Sequence, residues 1–291
     1  ISYVPEVYLH QKSLYVKFGK STHKFNLILG FNHQVMWGGE EKIFSGGLKN
    51  AEAYHYVVIG KPWAYSRVGN HFGTIDIGAE LKGKQWNLFV YRQNIYEDGS
   101  LAKLSNIADG LNGIRLKRTS PSHPKQFSLN TILLEYVYTK NQGGADFDFA
   151  TGVFGRDNYY NHYVYTQGWS YKGHSLGTPL IDSQKYYKEG VAKNNSLFTT
   201  NNRIFAFNLG LEATYQDFQF QFKGTYSRNF GIYDYEFPTP LSQSSFILKT
   251  EKAFSSLKKN HLSLAIASDL GKLYQSNTAL MIRWRKTGFL N

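Results

Sequence analysis

Strict alternation of apolar and polar residues is the feature that most constrains the fold of this chain. The clearest case runs from Gln216 to Ser227, where Phe218, Phe220 and Phe222 occupy alternate positions and polar residues lie between them. A helix would scatter both sets around its circumference, whereas a strand separates them onto two faces. This segment is therefore predicted to be a two-faced β-strand.

The same period recurs along the chain and predicts about 12 strands in one all-β domain spanning residues 1–291. The segments that carry it are Val7–Gly19, His23–Asn32, Glu52–Ile59, Phe72–Leu81, Gln85–Ile95, Gly110–Arg118, Gln126–Thr139, Asn202–Thr214, Gln216–Ser227, Ser245–Lys252, His261–Leu270 and Asn277–Arg285. The last two read as a hairpin.

Two kinds of connection join these segments. Lys20–Lys24 and Tyr215–Asp217 are tight, whereas Trp37–Asn50 and Lys140–Phe198 are long. Short turns at one end and long loops at the other are typical of outer-membrane barrels. The pattern predicts an antiparallel transmembrane β-barrel of the bacterial outer membrane, with lipid as its surroundings. A soluble β-sandwich is the alternative, because it too buries one face of each strand.

Composition is compatible with such a barrel. Aromatic residues make up 16% of the chain, Gly occurs 27 times, and mean hydropathy is −0.42. No run of about 18 apolar residues exists, so a transmembrane helix is excluded. Barrel strands escape this test because lumen-facing residues alternate with lipid-facing ones.

Charge and metal-ligating residues exclude several functions. The net charge is +12, but Lys and Arg are spread along the chain in no single block, so nucleic acid is not an expected partner. Cysteine is absent and the 9 histidines show no metal-binding spacing, so neither a metal nor another cofactor is expected.

The long segment Lys140–Phe198 contains the strongest candidate for a binding site, because its aromatic side chains could stack on sugar rings while its polar ones bind hydroxyls. The glycan-binding candidates here are Arg156, Asp157, Asn158, Tyr159, Tyr160, Asn161, His162, Trp169 and Tyr171. The alternative is that these rings pack the loop onto itself or join an interfacial girdle.

Catalysis is not expected. Ser170 and Ser175 lie near His162 and His174 in the sequence, but no Gly-x-Ser-x-Gly elbow occurs in this loop. A glycosidase would need two convergent acids, and acids such as Asp157 are common in loops. The chain is predicted not to be an enzyme.

Charged residues also fall on the predicted strands. A cation at the lipid midplane costs about 2–4 kcal/mol, so such residues should face the lumen or lie near a strand end. The predicted lumen-facing charges are Arg92, Arg115, Glu135, Glu212, Lys223 and Arg283.

Several ordered stretches resemble the Bacteroidetes branch of the capsule assembly Wzi family. They are His33–Gly39, Asp109–Gly113, Asp157–His162, Gly168–Tyr171, Gly177–Leu180 and Tyr226–Gly231. The resemblance adds Trp37 to the glycan-binding candidates. It implies an outer-membrane barrel that attaches capsular polysaccharide to the cell surface in a lectin-like, non-enzymatic role.

The resemblance leaves the size of the barrel open. Better-known members of the family have 18 strands and an N-terminal helical plug, whereas this chain supplies about 12 strands and starts in patterned sequence at Ile1. Either an N-terminal part is missing from the chain or this branch is shorter. Two other functions stay open: a channel or porin, and an accessory barrel subunit of a larger outer-membrane secretion or assembly complex with other outer-membrane proteins as partners.

Overall fold

The computed structural model describes residues 7–42, 48–59, 62–63, 66–97, 100, 104–120, 125–148, 150, 152–254 and 260–286. The patterned start at residues 1–4 lies outside this part. Eleven long strands dominate the structure: β1 (Tyr8–Phe18), β2 (Phe25–Trp37), β3 (Asn70–Lys82), β4 (Trp86–Glu97), β5 (Gly110–Arg118), β6 (Ser128–Tyr138), β7 (Ile204–Tyr215), β8 (Phe218–Ile232), β9 (Tyr235–Phe254), β10 (Asn260–Gly271) and β11 (Asn277–Lys286).

These strands form one antiparallel sheet in which each strand pairs with the next along the chain. The order is a simple meander from β1 to β11. The prediction of an all-β antiparallel fold is therefore confirmed. In the described part of the chain, β1 and β11 are the two edges of the sheet.

The register gives the sheet two chemically different faces. One row across the middle contains Val90, Ile114, Leu134, Leu209 and Phe246, which lie side by side on what we call the apolar face. The row on the opposite face is shifted by one residue along each strand from the apolar row. It contains Tyr91, Glu135, Asn208, Thr225 and Ser245. We call this the polar face. A one-residue slip in any pairing would exchange the two sets.

Large side chains on the apolar face remain open to the surroundings. Leu134, Phe207 and Ile282 are 52%, 54% and 72% exposed, and similar residues continue across the strands. Between the rows of Arg228 and Lys252 this face carries no acidic side chain of the described strands. Its cations lie toward the two ends of the strands. Those at one end are Lys12, Arg92 and Arg228, and those at the other are Arg118, Lys252 and Lys286.

Aromatic rings on the polar face lie flat against glycines of the neighbouring strand. A Cβ atom added at Gly113 would come within 2.1 Å of Cζ of Tyr91, and one added at Gly30 within 2.5 Å of Cε1 of Tyr15. The absence of a side chain at these glycines is therefore what lets the rings approach the backbone.

One predicted strand, Glu52–Ile59, is wrong: Asn50–Ile59 is an α-helix, α1. Ala53 and Val57 lie four residues apart, and both are buried against Val35 of β2, as the helical period requires. The run of aromatic and β-branched residues imitated a strand, but packing on β2 favours the helix. In the described residues, no helix has the length and apolarity needed to cross a membrane.

The other eleven predicted strands are confirmed, and the connections fall into the expected classes. The turns after β1, β3 and β7 are short and lie at one end of the sheet, which we call the turn end. The long connections after β2, β4 and β6 lie at the opposite end, the loop end. Two short links, after β8 and β10, also lie at the loop end.

Candidate ligand-binding surface

The long loop between β6 and β7, residues 139–203, folds over the polar face at the loop end of the sheet. Its regular strands in the part described are four short ones in two pairs, Phe147–Asp148 with Val153–Phe154 and Ser170–Tyr171 with His174–Ser175, and one 3₁₀ turn spans Gln184–Tyr186. Tyr159, Trp169 and Phe198 form its buried centre. Phe72 of β3 packs against this centre, with its ring centroid 6.0 Å from that of Trp169.

Buried hydrogen bonds fix the loop to the strand ends. The Asp109 carboxylate, just before β5, accepts from the backbone N–H groups of Asn141 and Gln142 and from the Tyr159 hydroxyl. Burial raises the pKa of Asp109, although these hydrogen bonds act against the rise. The Asn202 amide donates to the Tyr159 carbonyl at 2.8 Å. Buried polar groups satisfied in this way favour one conformation of the loop.

Most of the predicted glycan-binding rings are structural in this fold. Tyr159, Tyr160 and Trp169 are at most 5% exposed, so their faces are not available for sugar stacking. The alternative interpretation, that the rings pack the loop onto itself, describes their positions. Trp37 lies elsewhere, on the apolar face, with its ring centroid 5.1 Å from that of Tyr8.

The polar candidates of the loop divide into buried and exposed groups. Asn161 donates to the Thr199 carbonyl and Asn158 accepts from Asn202, so both serve the loop's interior. Asp157 accepts a hydrogen bond from Asn106 at 2.7 Å. Two candidates remain on the surface: Arg156, which pairs with Asp234, and Tyr171, which is 65% exposed.

His162 also has a structural role. Its Nδ1 accepts from the backbone N–H groups of Val164 and Tyr165 at 3.2 and 3.3 Å. Burial lowers the pKa of His162 to about 4, and the nearby His71 adds to the effect. Its ring is therefore neutral at ordinary pH. The loop serines bond elsewhere, since Ser170 donates to the Gln167 carbonyl and Ser175 to the Thr178 carbonyl.

A cavity of about 380 Å³ separates the loop from the polar face. The amide side chains of Asn32, Gln34 and Gln93 line its sheet side, and Trp169 lines its loop side. The Nε1 atom of Trp169 is buried there without a hydrogen-bond partner. A buried donor of this kind costs about 1–3 kcal/mol unless it is satisfied, so the cavity favours a polar occupant.

A second hollow, of about 280 Å³, lies on the polar face and shares Gln93 and Leu111 with the cavity. We call it the polar groove. Its key residues are Tyr15, Asp76, Phe89, Tyr91 and Glu135. The Phe89 and Tyr91 rings stack at 5.1 Å, and the Tyr91 hydroxyl donates to Glu135. Aromatic walls with a few polar groups are the usual pattern of a small-molecule site.

Asp76 is the most confined charge of the polar groove. Its Oδ2 accepts from the Tyr15 hydroxyl, Asn32 and Gln93 at 2.9, 3.1 and 3.2 Å. Its Oδ1 is buried and has no hydrogen-bond partner. The sequence reasoning missed this residue. The sequence did contain a signal for it: Asp76 is an acid at an alternate position of β3. Glycines near it leave room for aromatic rings from neighbouring strands.

The predicted lumen-facing charges divide between the two faces. Arg115, Glu135, Glu212, Lys223 and Arg283 lie on the polar face. Arg92 does not, and its assignment to that face is wrong: it pairs across from Ile77 and Asn112 on the apolar face. Its guanidinium donates to Asn112 at 2.8 Å and to the Asp109 carbonyl at 3.2 Å, which satisfies it near the strand end.

Two further findings concern the chain as a whole. Among the described residues, no three His, Asp or Glu side chains converge in a way that could hold a metal ion. Comparisons with protein-family models, with curated proteins and with solved structures find no match for this chain.

Proposed function

We propose that the sheet forms part of the wall of an outer-membrane β-barrel, with its apolar face toward lipid and its polar face toward the lumen. The observation that carries the proposal is the register, which places exposed apolar side chains on one face of all eleven strands and polar ones on the other. A soluble sheet of this size would cover such a face with another layer. The described residues that pack against it lie at its loop end: α1 with Leu48 and Val68, and the connection before β5, whose Ile107 carbonyl accepts from Arg92.

The height of the apolar face also supports a membrane location. On β8 the apolar positions run from Phe218 to Tyr226. At about 3.4 Å per residue this distance is roughly 27 Å along the strand. Strands tilted by about 40° would span roughly 20 Å of membrane, near the apolar band of about 25 Å that barrels present to lipid.

We propose further that the protein is not an enzyme and that it binds surface polysaccharide during capsule attachment or assembly. The polar groove supports this, because Phe89 and Tyr91 offer aromatic surface while Asp76, Gln93 and Glu135 offer groups for hydroxyls. The resemblance to the capsule assembly family supports the same ligand class.

Adjacent residues of β7 provide a test of the membrane location. Leu209 lies on the apolar face and Asn208 on the polar face. Leu209→Arg should destabilise the protein folded in lipid vesicles, lowering its free energy of unfolding by about 2–4 kcal/mol. Asn208→Arg, whose new cation would lie near Glu135, should change it by less than about 1 kcal/mol. Equal effects of the two variants, or a wild-type protein that stays soluble without detergent, would contradict the proposal.

The polysaccharide proposal has its own experiment. The purified protein in detergent should bind capsular polysaccharide from the organism that makes it, and deletion of the protein should release capsule from the cell surface. Phe89→Ala should weaken binding about tenfold or more, because stacking area is lost. Tyr163→Ala, at an exposed loop position outside the candidate set, is the matched control. Capsule retained in full by the deletion strain, together with no binding in detergent, would refute the role.

A channel is the second candidate, and the charges of the polar face favour it. Arg115, Lys223 and Arg283 lie on that face together with Glu135 and Glu212, as expected for an ion-conducting lumen. Reconstitution in planar bilayers tests it. Stable single-channel conductance would support a channel, and a silent bilayer would leave polysaccharide binding as the function.

A further inference from the structure

The apolar face carries a groove of about 980 Å³ that the polysaccharide role does not use. We call it the lipid groove. The side chains of Tyr136, Phe207 and Tyr226 line it toward the loop end, and Leu134, Leu209 and Phe222 line its middle. Gly224, between Phe222 and Tyr226 on β8, also lines it, and the Phe222 ring lies over this glycine, 2.9 Å from the position that a Cβ atom would take.

Two cations lie just beyond the loop end of this groove. Arg228 is two residues after Tyr226 on the same face of β8. Lys140 is two residues after Tyr138 of β6. Phe205 of β7 lies between these strands and pairs with both Tyr138 and Arg228. The Lys140 Nζ is 4.3 Å from the centroid of the Phe230 ring, and the Arg228 Cζ is 6.0 Å from it. One aromatic ring therefore holds both cations in the same small region.

The two cations lack the acidic partners that nearby arginines have. Arg203 pairs with Glu236 and Arg156 with Asp234. Within the described residues, neither Lys140 nor Arg228 has a carboxylate within 4.0 Å. The chain contains 21 acidic residues, so acidic partners are not scarce in the sequence. A pair of cations left unneutralised beside an apolar groove suits a ligand that is anionic at one end and apolar at the other.

We propose that the lipid groove and the Lys140–Arg228 pair form a binding site for a phosphate-bearing lipid. The acyl chains would lie along Leu134, Leu209 and Phe222, and the phosphate would lie between the two cations. The aromatic residues Tyr136, Phe207 and Tyr226 would then lie at the level of the headgroup boundary, where amphipathic rings are favoured. This inference rests on the proposed location of the apolar face in a membrane.

The test titrates the detergent-solubilised protein with short-chain phosphatidic acid and with phosphatidylcholine of the same chain length, measured by native mass spectrometry. We expect the wild type to bind phosphatidic acid about tenfold more tightly, from the attraction of two surface cations for an anionic headgroup. Lys140→Gln/Arg228→Gln should abolish this preference.

Lys252→Gln is the matched control. Lys252 also lies on the apolar face beside an aromatic ring, with its Nζ 4.9 Å from the Phe218 centroid, but at the turn end. The control should keep the preference. Excess inorganic phosphate should not displace the lipid, because the apolar groove contributes to its affinity. Loss of the preference in the control, displacement by phosphate alone, or an unaltered preference in the double variant would overturn the proposal.

Folding of each variant into vesicles provides an independent readout. All three proteins should show the same heat-modifiable mobility on a gel. If they insert normally but show no lipid preference, the lipid site fails while the membrane location stands. If the wild type does not insert, the proposed function itself fails.

Discussion

Trp169 illustrates how a single residue takes its role from burial. In the sequence it belongs to an aromatic, polar stretch typical of sugar-binding loops, but its ring is 1% exposed and packs against Phe72 and Phe198. No local pattern separates a ring that stacks on a ligand from a ring that fills a loop core. That distinction depends on contacts between segments far apart in the chain.

Removing this ring should therefore loosen the loop. Trp169→Ala should lower the free energy of opening for the amides of residues 157–203 by about 3–5 kcal/mol, the usual cost of deleting a buried aromatic side chain. Hydrogen exchange measures it directly. Tyr171→Ala, at an exposed ring two residues away, should change the same amides by less than about 0.5 kcal/mol. Similar effects at both positions would contradict the assigned packing.

The neutral His162 ring predicts a pH dependence. Because its pKa is lowered to about 4, the unfolded loop binds a proton more readily than the folded loop between pH 6.5 and 4. Stability from this residue is complete above about pH 6.5 and is lost as the pH falls toward 4. The loss amounts to roughly 3 kcal/mol at most, at about 1.4 kcal/mol per pKa unit.

Limited proteolysis of the loop between pH 8 and pH 4 would detect the change. Cleavage should increase on acidification in the wild type and should depend much less on pH in His162→Gln. His174→Gln is the control, since His174 lies on the surface beside Asp182. A wild-type loop that is equally protected at pH 8 and pH 4 would contradict this account of His162.

At the scale of elements, the flat packing of rings on glycines joins neighbouring strands. Gly113→Ala would push the Tyr91 ring away from the backbone and strain its hydrogen bond to Glu135. We expect a loss of about 1–3 kcal/mol in the free energy of unfolding from vesicles. Gly210→Ala, where the new Cβ would lie 3.2 Å from the Leu133 Cβ, should cost less. An inverted order would show that Tyr91 does not depend on the missing side chain.

The elements also show which parts of the fold the sequence reveals. Segments such as Gln216–Ser227 alternate so regularly that their faces follow from the period alone. Glu52–Ile59 was misread because Tyr54, Tyr56 and Val58 imitate a strand, while the buried pair Ala53 and Val57 fits a helix equally well. Only the contact with β2 decides between the two.

For the molecule as a whole, the division into a loop end and a turn end predicts which parts face the outside of the cell. The chain contains no cysteine, so single cysteines can report their side of the membrane. Lys193→Cys, in the long loop, should react with a membrane-impermeant maleimide in intact cells. Asp217→Cys, in the turn after β7, should react only after the outer membrane is permeabilised. The reverse pattern, or reaction of both in intact cells, would contradict the orientation.

The candidate site was less predictable than the sheet. The loop was the expected binding region, but its rings are mostly buried, and the polar groove gathers residues from β1, β3, β4 and β6 that lie far apart in the sequence. Their meeting depends on strand register. The same register explains Arg92, which shares the alternate positions of Leu88 and Val90 and therefore lies on the apolar face.

The meander has one consequence for how the sheet could be completed. Neighbouring strands run in opposite directions, so β1 and β11, separated by ten such reversals, run the same way. Joining these two edges directly would create one parallel seam, and a ring that is antiparallel throughout needs an even count of strands. A fully antiparallel cylinder built on this sheet must therefore include an odd number of additional strands between β11 and β1.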